Sequence, residues 1–260
     1  MPSWPSVVVG AIAVGALLGA AQKDDASDAP APEEAVVVAD PPRGEPLPSP
    51  VTGEPPRWAE SVRTTLAPQD ATRIALTFDD GPSAQWTPQV LDTLARHDVP
   101  ATFCVIGENI SGNEQILRRI HAEGHVLCNH TMSHDYGLPT REPEQVRSDI
   151  SRAGDLITAA VPDAAVTVFR APGGRFEPSV VEAAADLGLH SWAWSIDPQD
   201  WNTTDTAVIV TRTLDELAPD AVVLLHDGGG DRSATVAALD ELIPVLQSVG
   251  YEFVTLANEP

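Results

Sequence analysis

Short apolar runs alternate with amphipathic stretches from about residue 71 to the C-terminus. An apolar run of about four to eight residues bounded by turn residues is typical of a buried strand. Seven runs fit this pattern and predict strands: RIALTF, ATFCVIG, HVLCNH, TVFR, HSWAWSI, AVVLLH and YEFVTL. Between them, apolar residues recur at helical spacing, as in Val90, Leu91 and Leu94, and predict helices. The alternation of strand and helix predicts right-handed βαβ units and a parallel sheet.

Polar residues at the predicted strand ends help to choose between two architectures for this sheet. An open doubly wound sheet brings its strand ends together mainly at one switch point, whereas a (β/α) barrel gathers all of them around one mouth. Candidate chemical groups follow five of the strands: Asp79 with Asp80, His130, Arg170, Asp197 and His226. We therefore predict an α/β fold with a single catalytic domain over 68–260, a distorted, incomplete barrel of the (β/α)7 type.

The N-terminal part of the chain has a different texture. Residues 22–67 are rich in Pro, Ala, Asp and Glu and lack a periodicity that could bury a face, which predicts a disordered linker. An apolar stretch from Val7 to about Ala21 is too short for a comfortable membrane span, so 1–21 is interpreted as a signal peptide. No Lys or Arg precedes it, which leaves a short membrane anchor or a misplaced start as alternatives. We expect a secreted or cell-envelope-associated protein.

Charge and cysteine content narrow the partners and the compartment. The formal net charge is −23 and Lys23 is the only lysine, so a polyanion such as nucleic acid would be repelled. A neutral or cationic partner fits better, and nothing implies a stable protein partner. Cys104 and Cys128 are the only cysteines. In an exported protein they form a disulfide or remain two buried free thiols, and the sequence leaves both open.

Two neighbouring aspartates end the first predicted strand, in TFDDGP. Strand alternation places Ala75, Thr77 and Asp79 on one face, where small residues suit a barrel interior. Asp79 would then point inward at the mouth, and the Gly-Pro turn that follows frees Asp80 from the alternation. Both aspartates can reach one site, although the same residues also make a good turn.

Two histidines in NHTMSH, His130 and His134, stand four residues apart. This separation puts two side chains on one face of a helical turn. Two neutral imidazoles and one carboxylate form a three-ligand zinc set with an open position for water or substrate. A carboxylate from a neighbouring strand end would complete that set, and two unrelated surface histidines are the alternative.

Three further segments place polar or aromatic groups at strand ends. Arg170, in FRAPGGRF, leaves a strand before a tight loop, and a buried arginine needs a carboxylate partner. Asp197, Asp200 and Trp201, in DPQDWN, follow a strand rich in tryptophan, and an aromatic ring at a barrel mouth can stack on a sugar. His226 ends the very apolar run VVLLH, as suits a proton donor in a dry pocket.

In order and spacing, the segments TFDDGP, HTMSH, RAPGG, DPQDW and LLHD resemble the five motifs of one enzyme family. They are similar to those of the polysaccharide deacetylases of the NodB-homology type, carbohydrate esterase family 4. The resemblance covers the chain from about Ala71 onward and leaves the linker unexplained. It implies a hydrolase that uses zinc, or another divalent transition metal such as cobalt, to remove acetyl groups from an acetylated glycan.

The resemblance also implies a role for each matching residue. Three match the metal ligands: Asp80, His130 and His134. Four match the catalytic groups, namely the base, the arginine that orients it, the general acid and the carboxylate that tunes that acid: Asp79, Arg170, His226 and Asp200. Asp197 is a substitute for the last of these. Three match substrate-binding positions, a groove tryptophan, a pocket for the acetyl methyl and a backbone N–H for the oxyanion: Trp201, Leu224 and Gly173.

One position departs from the family's pattern. An aromatic residue commonly follows the proline of the third motif, and here Gly173 stands in that place. The backbone N–H is still available, and the missing ring is expected to leave a wider groove or a more mobile loop.

The sequence therefore predicts an N-deacetylase of GlcNAc- or MurNAc-containing glycan, peptidoglycan or chitin-like chains, that releases acetate. Two alternatives remain. One is an acetylxylan O-acetyl esterase that uses the same site, and the other is a glycan-binding homologue without catalysis.

Overall fold

Strands and helices alternate in the structure as the hydrophobic pattern predicts. The computed structural model describes residues 61–69 and 72–258. Within these ranges the strands are β1 (Val62–Arg63), β2 (Arg73–Gly81), β3 (Thr102–Val105), β4 (Val126–Asn129), β5 (Val168–Phe169), β6 (His190–Trp192), β7 (Ala221–His226) and β8 (Glu252–Phe253). The helices are α1 (Thr87–His97), α2 (Glu114–Ala122), α3 (Pro143–Ala160), α4 (Pro178–Asp186), α5 (Thr206–Asp215) and α6 (Ser233–Ser248). The predicted signal peptide or anchor, 1–21, and the linker as far as residue 60 lie outside the described residues.

Local chemistry sets the helix boundaries. In α1 the buried residues Val90, Leu91 and Leu94 form one face, and the helix ends at Asp98, which has a left-handed φ of 54°. One proline stands at the first or second position of each of α1, α3 and α4, where a helix does not need the missing N–H. No helix in the described part of the chain is both long and apolar enough to span a bilayer.

The strands form one parallel sheet that curls into an incomplete barrel. Its order is β1-β6-β5-β4-β3-β2-β7, and every neighbouring pair is parallel. The ring closes through isolated contacts: Ile196, beyond β6, bridges Val223 of β7, and Leu224 N donates to Ile196 O at 2.9 Å. The predicted barrel class is confirmed. The seventh predicted strand is reduced to β8, which pairs with the first residues of β2.

Alternation along β2 separates an outer core from an inner one. Ile74, Leu76 and Phe78 are fully buried and belong to the cluster between the sheet and the helices. Ala75 points the other way, into a smaller interior cluster whose other buried members are Leu66, Cys104, Cys128, Val168, Trp192, Val222 and Leu256. Asp79, on the same face, is 4% exposed at the end of the strand. An apolar barrel interior therefore leads up to a polar mouth.

The folded domain begins before residue 68. Strand β1 pairs with β6 at the edge of the sheet, and Leu66 is 1% exposed and belongs to the interior cluster. Residues 61–67 of the predicted linker are therefore structured, which corrects the predicted boundary. The pattern missed them because a two-residue strand and one buried leucine show no periodicity.

Cys104 and Cys128 form a disulfide inside the barrel. They pair directly in register across β3 and β4, and both side chains are fully buried. Of the two alternatives that the sequence left open, the structure contains the bonded pair.

Removing this disulfide is expected to destabilise the domain. The cysteines are 24 residues apart, and a cross-link closing a loop of that size stabilises by about 3 kcal/mol because it restricts the unfolded chain. A Cys104→Ala/Cys128→Ala variant should show this loss in urea unfolding, and reduced wild type should match it. An unchanged free energy of unfolding, or free thiols in unreduced wild type after denaturation, would contradict the prediction.

Candidate active site

The carboxyl ends of five strands converge on one mouth of the barrel. Asp79 lies directly opposite His226 in the register of β2 and β7. The loops after the neighbouring strands β4, β5 and β6 contribute the other polar groups, listed in chain order: His130, His134, Arg170 and Asp200. The convergence predicted from the strand ends is therefore present.

Asp80, His130 and His134 form a group of potential metal ligands. Asp80 Oδ1 lies 3.6 Å from His130 Nε2 and 3.2 Å from His134 Nε2. One potential ligand atom from each of the three residues lies within 4.8 Å of the other two. Asp80 Oδ1 is buried without a hydrogen-bond partner, and a buried carboxylate oxygen left unpaired is costly. The cluster therefore fits a divalent cation.

Hydrogen bonding and charge prepare these donors for a cation. His130 Nδ1 lies 2.8 Å from Arg170 O, so Nδ1 carries the proton and donates, and Nε2 keeps its lone pair for a metal. Burial raises the pKa of Asp80, but the neighbouring imidazoles of His130, His226 and His134 outweigh it and hold that pKa well below its usual range. Burial, together with the neighbouring imidazole of His130, lowers the pKa of His134 to about 4, so the His134 imidazole is neutral at neutral pH.

The two histidines reach the cluster by loop geometry rather than on one helical turn. No helix lies between His130 and His134 in the structure, and Thr131 and His134 have left-handed φ values of 67° and 53°. Asn129 Oδ1 accepts from Thr131 N at 2.9 Å, and Thr131 Oγ1 accepts from His134 N at 3.1 Å. The helical premise of the spacing argument was wrong, yet the spacing identified the pair because this tight loop also brings both rings to one side.

Asp79 is held by Arg170 beside the cluster. Arg170 is fully buried, and its Nη1 donates to Asp79 Oδ1 at 2.9 Å and to Thr77 Oγ1 at 2.8 Å. Its Nε and Nη2 donate to the carbonyl oxygens of Trp192 and Ala193 at 3.1 and 3.0 Å. The guanidinium is thus fixed on all sides, and the carboxylate partner predicted for Arg170 is Asp79. Oδ2 of that carboxylate faces His130 Nε2 at 3.6 Å.

His226, which pairs with Asp79 in the strand register, is held by Asp200. Asp200 Oδ1 accepts from His226 Nδ1 at 2.7 Å, while Oδ2 accepts from His226 N at 2.9 Å and from Thr235 Oγ1 at 2.8 Å. Burial lowers the pKa of His226, but the charge and hydrogen bond of Asp200 outweigh it and raise that pKa to about 9. Asp197 accepts from Gln199 N at 2.8 Å within its own loop. Asp200, not Asp197, is therefore the partner of His226.

The three predicted substrate-binding residues lie around this constellation. Trp201 follows Asp200 and is 45% exposed. Leu224 is buried and lies two residues before His226 on β7, opposite Thr77 of β2, so it shares the interior face with the histidine. Gly173 has a left-handed φ of 58° in the turn after Arg170.

The gap expected beside Gly173 is filled by another aromatic residue. A Cβ built on Gly173 would lie 2.5 Å from Cε1 of Tyr136, which follows His134 on the β4 loop. An aromatic ring from a different segment therefore lies beside Gly173, and the expected wider groove or more mobile loop stays a prediction. In the turn itself Gly174 N donates to Ala171 O and Arg175 N to Pro172 O, both at 3.1 Å, and neither bond uses the Gly173 N–H.

Several supporting residues escaped sequence reasoning. Thr77 Oγ1 accepts a hydrogen bond from Arg170, and Thr235 Oγ1 donates one to Asp200. Asp227 is buried, and its Oδ2 accepts from Thr87 Oγ1 at 2.6 Å while its backbone N donates to Asp79 O at 3.0 Å. Burial and the charges of Asp80 and Asp79 raise the pKa of Asp227 to about 7. The alternation of ALTFDD placed Thr77 on the Asp79 face, but no local signal marks Thr235 or Thr87, because each acts across the fold.

Comparison with solved structures supports the fold and the class of protein. A crystal structure of a peptidoglycan N-acetylglucosamine deacetylase in complex with 4-naphthalen-1-yl-N-oxidanyl-benzamide superposes with a TM-score of 0.73 at 34% identity, covering 78% of this chain and 94% of that one. With the ordered motifs at the barrel mouth, this likeness defines a hydrolase of the carbohydrate esterase type.

Comparison with known sequences identifies the family. The model of the family described as polysaccharide deacetylase matches residues 67–192. A chitooligosaccharide deacetylase of Bradyrhizobium sp. (strain ANU 289) is 42% identical over 204 residues, which cover 74% of this chain and 93% of the relative. A peptidoglycan-N-acetylglucosamine deacetylase of Bacillus cereus is 38% identical over 197 residues, which cover 75% of this chain and 91% of the relative. The chain therefore belongs to the polysaccharide deacetylase family of enzymes, with the NodB homology that its motifs resemble.

Proposed function

We propose that this chain is a metal-dependent N-deacetylase of GlcNAc- or MurNAc-containing glycan, such as peptidoglycan or a chitin-like chain, and that it releases acetate. One observation carries the proposal: the Asp80–His130–His134 cluster lies at the same strand ends as a carboxylate held by arginine and a histidine held by a carboxylate. The printed activities of the relatives, which are deacetylases of chitooligosaccharide and peptidoglycan, support this substrate class.

We assign the metal to Asp80, His130 and His134. Two imidazoles and one carboxylate suit zinc, and cobalt or another divalent transition metal is compatible with the same donors. A metal bound there supplies Lewis-acid chemistry, polarising the acetyl carbonyl and lowering the pKa of water.

The remaining groups divide the proton transfers of amide hydrolysis between them. Asp79 removes a proton from the attacking water as the water oxygen bonds to the acetyl carbon. Arg170 fixes the Asp79 carboxylate in place for this step. The N–H of Gly173 donates to the charged oxygen of the tetrahedral carbon. His226, kept protonated by Asp200, gives its proton to the nitrogen as the carbon–nitrogen bond breaks. The products are acetate and a free amino sugar.

We assign substrate contacts to Trp201 and Leu224. An exposed indole can pack on the face of a sugar ring. A buried leucine beside His226 offers an apolar contact to the acetyl methyl.

We further propose that the protein acts as a secreted or envelope-associated enzyme. The apolar stretch that begins at Val7 supports export. The Cys104–Cys128 disulfide supports it independently, because such bonds persist mainly in oxidising compartments.

The proposed activity is tested by acetate release from chitin oligomers, peptidoglycan and acetylxylan, with bound metal quantified in the same preparation. We expect release from the first two, loss of activity after chelation and recovery with zinc. Full activity without metal, or in Asp79→Asn, would refute the mechanism. Turnover of acetylxylan alone would identify an esterase, and glycan binding without turnover in the presence of zinc would identify a non-catalytic homologue.

A further inference from the structure

Exposed aromatic side chains are concentrated at the mouth of the barrel. Of the large apolar side chains that are exposed among the described residues, two are aromatic, Tyr136 at 39% and Trp201 at 45%. They lie on the loops after β4 and β6, which flank β5 in the sheet. The other exposed apolar side chains are aliphatic and lie on or next to α3 and α6: Leu156, Val245 and Val249. No part of the proposed mechanism uses Tyr136.

The loop that carries Tyr136 is held in one conformation by its neighbours. Asp135 Oδ1 accepts from Gly137 N at 2.8 Å, and Asp135 Oδ2 forms an ion pair with Arg141 at 2.5 Å. The Tyr136 ring stands perpendicular to the ring of His134, with centroids 5.0 Å apart. Little conformational freedom remains to be lost when a ligand packs on this ring.

The turn beside Tyr136 has no side chains and has no room for them. A Cβ on Gly173 would lie 2.5 Å from Tyr136 Cε1, and a Cβ on Gly174 would lie 3.1 Å from Trp194 Cη2. Both glycines also have positive φ values, 58° and 69°. The rings of Tyr136 and Trp194 therefore occupy the space over the Gly173–Gly174 turn. The turn supports the edge of the Tyr136 ring next to the metal-binding cluster.

We propose that Tyr136 is a specificity-determining residue whose exposed ring, supported by His134 and the Gly173–Gly174 turn, forms the wall of a sugar subsite. The subsite binds the pyranose ring next to the one that loses its acetyl group, so the inference rests on the proposed function. The aliphatic face of a neutral sugar packs on an aromatic ring, and the phenol hydroxyl at the rim can exchange hydrogen bonds with sugar hydroxyls. This subsite favours oligomers over single sugars.

Binding without turnover tests the subsite directly. In an Asp79→Asn background, calorimetry with chitopentaose should give a dissociation constant about tenfold higher for Tyr136→Ala, which corresponds to about 1.4 kcal/mol. Tyr136→Phe, which keeps the ring, should stay within about threefold of the parent. The matched control is Leu156→Ala on α3, an aliphatic side chain that is 38% exposed, and it should leave the affinity unchanged. Equal affinities for Tyr136→Ala and the parent would overturn the proposal.

Turnover in the otherwise native enzyme separates this subsite from general damage. Tyr136→Ala should raise KM for chitopentaose while hydrolysis of 4-nitrophenyl acetate and the bound metal stay at wild-type levels. An equal loss on both substrates would refute a role confined to sugar binding. If wild type released no acetate from any glycan, the proposed function would fail, yet a Tyr136-dependent dissociation constant would still support the subsite. Deacetylation with Tyr136-independent binding would refute the subsite alone.

Discussion

Replacing Asp80 with alanine is expected to remove both the bound metal and the turnover, whereas Asp79→Asn should remove the turnover alone. Asp80 Oδ1 lies within 3.6 Å of both imidazole Nε2 atoms and has no other partner. Oδ1 of Asp79 accepts a hydrogen bond from Arg170 instead. Loss of the metal should slow acetate release by about a thousandfold or more, since Lewis-acid stabilisation is worth several kcal/mol.

The two variants are compared by metal content and by activity in the same preparations. Metal affinity should fall by at least about 100-fold in Asp80→Ala, because even residues behind the ligands contribute 10- to 100-fold. It should change little in Asp79→Asn, whose turnover should drop by about 10²- to 10⁴-fold through loss of the base. Asparagine is the suitable replacement, because its amide oxygen keeps an acceptor for the fully buried Arg170 Nη1, which Asp79→Ala would remove. Equal metal loss in both variants would contradict the division of roles.

The alkaline limit of activity is expected to follow the His226–Asp200 pair. The pKa of His226 is raised to about 9, so the proton that we propose it donates is present at neutral pH and is lost as the pH rises through about 9. His226→Ala should lower turnover of the amide by about 10²- to 10⁴-fold. Asp200→Asn should move the alkaline limb of kcat to lower pH, because burial alone lowers the pKa of His226.

The same pair gives a stability signature with a defined sign. A histidine whose folded pKa is raised from 6.5 to about 9 stabilises the fold fully below pH 6.5, and this contribution is lost as the pH rises through about 9. The pKa of Asp200 is lowered from 3.8 despite burial, chiefly by His226, so its contribution is present above pH 3.8 and lost on further acidification. Asp197→Asn provides the comparison, because Asp197 bonds within its own loop. A shift of the alkaline limb in that variant instead of Asp200→Asn would contradict the assignment.

Hydrophobic periodicity predicted most of the fold. Each of the seven apolar runs contains a strand, and the placement of Ile74, Leu76 and Phe78 opposite Ala75 follows directly from the period of two. Elements that are too short to show a period were missed or overestimated. Strand β1 has two residues and lay inside the predicted linker, while the run around Tyr251 was expected to add a full strand and forms only β8.

Chemically distinctive residues at the predicted strand ends identified most of the candidate site. Asp79, Asp80, His130, Arg170 and His226 could be located because parallel strands must bring their carboxyl ends to one edge. Only the resemblance favoured Asp200 over Asp197. Strand position alone does not separate them, since both follow the same strand and a three-residue difference in a loop has no defined direction in sequence.

The sequence by itself determined which residues lie at the strand ends that form the mouth. Side-chain alternation and parallel strand order are local consequences of backbone geometry. Tertiary structure alone decided the contacts made across the fold. It gave Arg170 its bonds to the carbonyl oxygens of Trp192 and Ala193, bonded Cys104 to Cys128 and brought Tyr136 against Gly173. These contacts join segments from different loops and strands, and their distances depend on how the sheet curls, which no local pattern encodes.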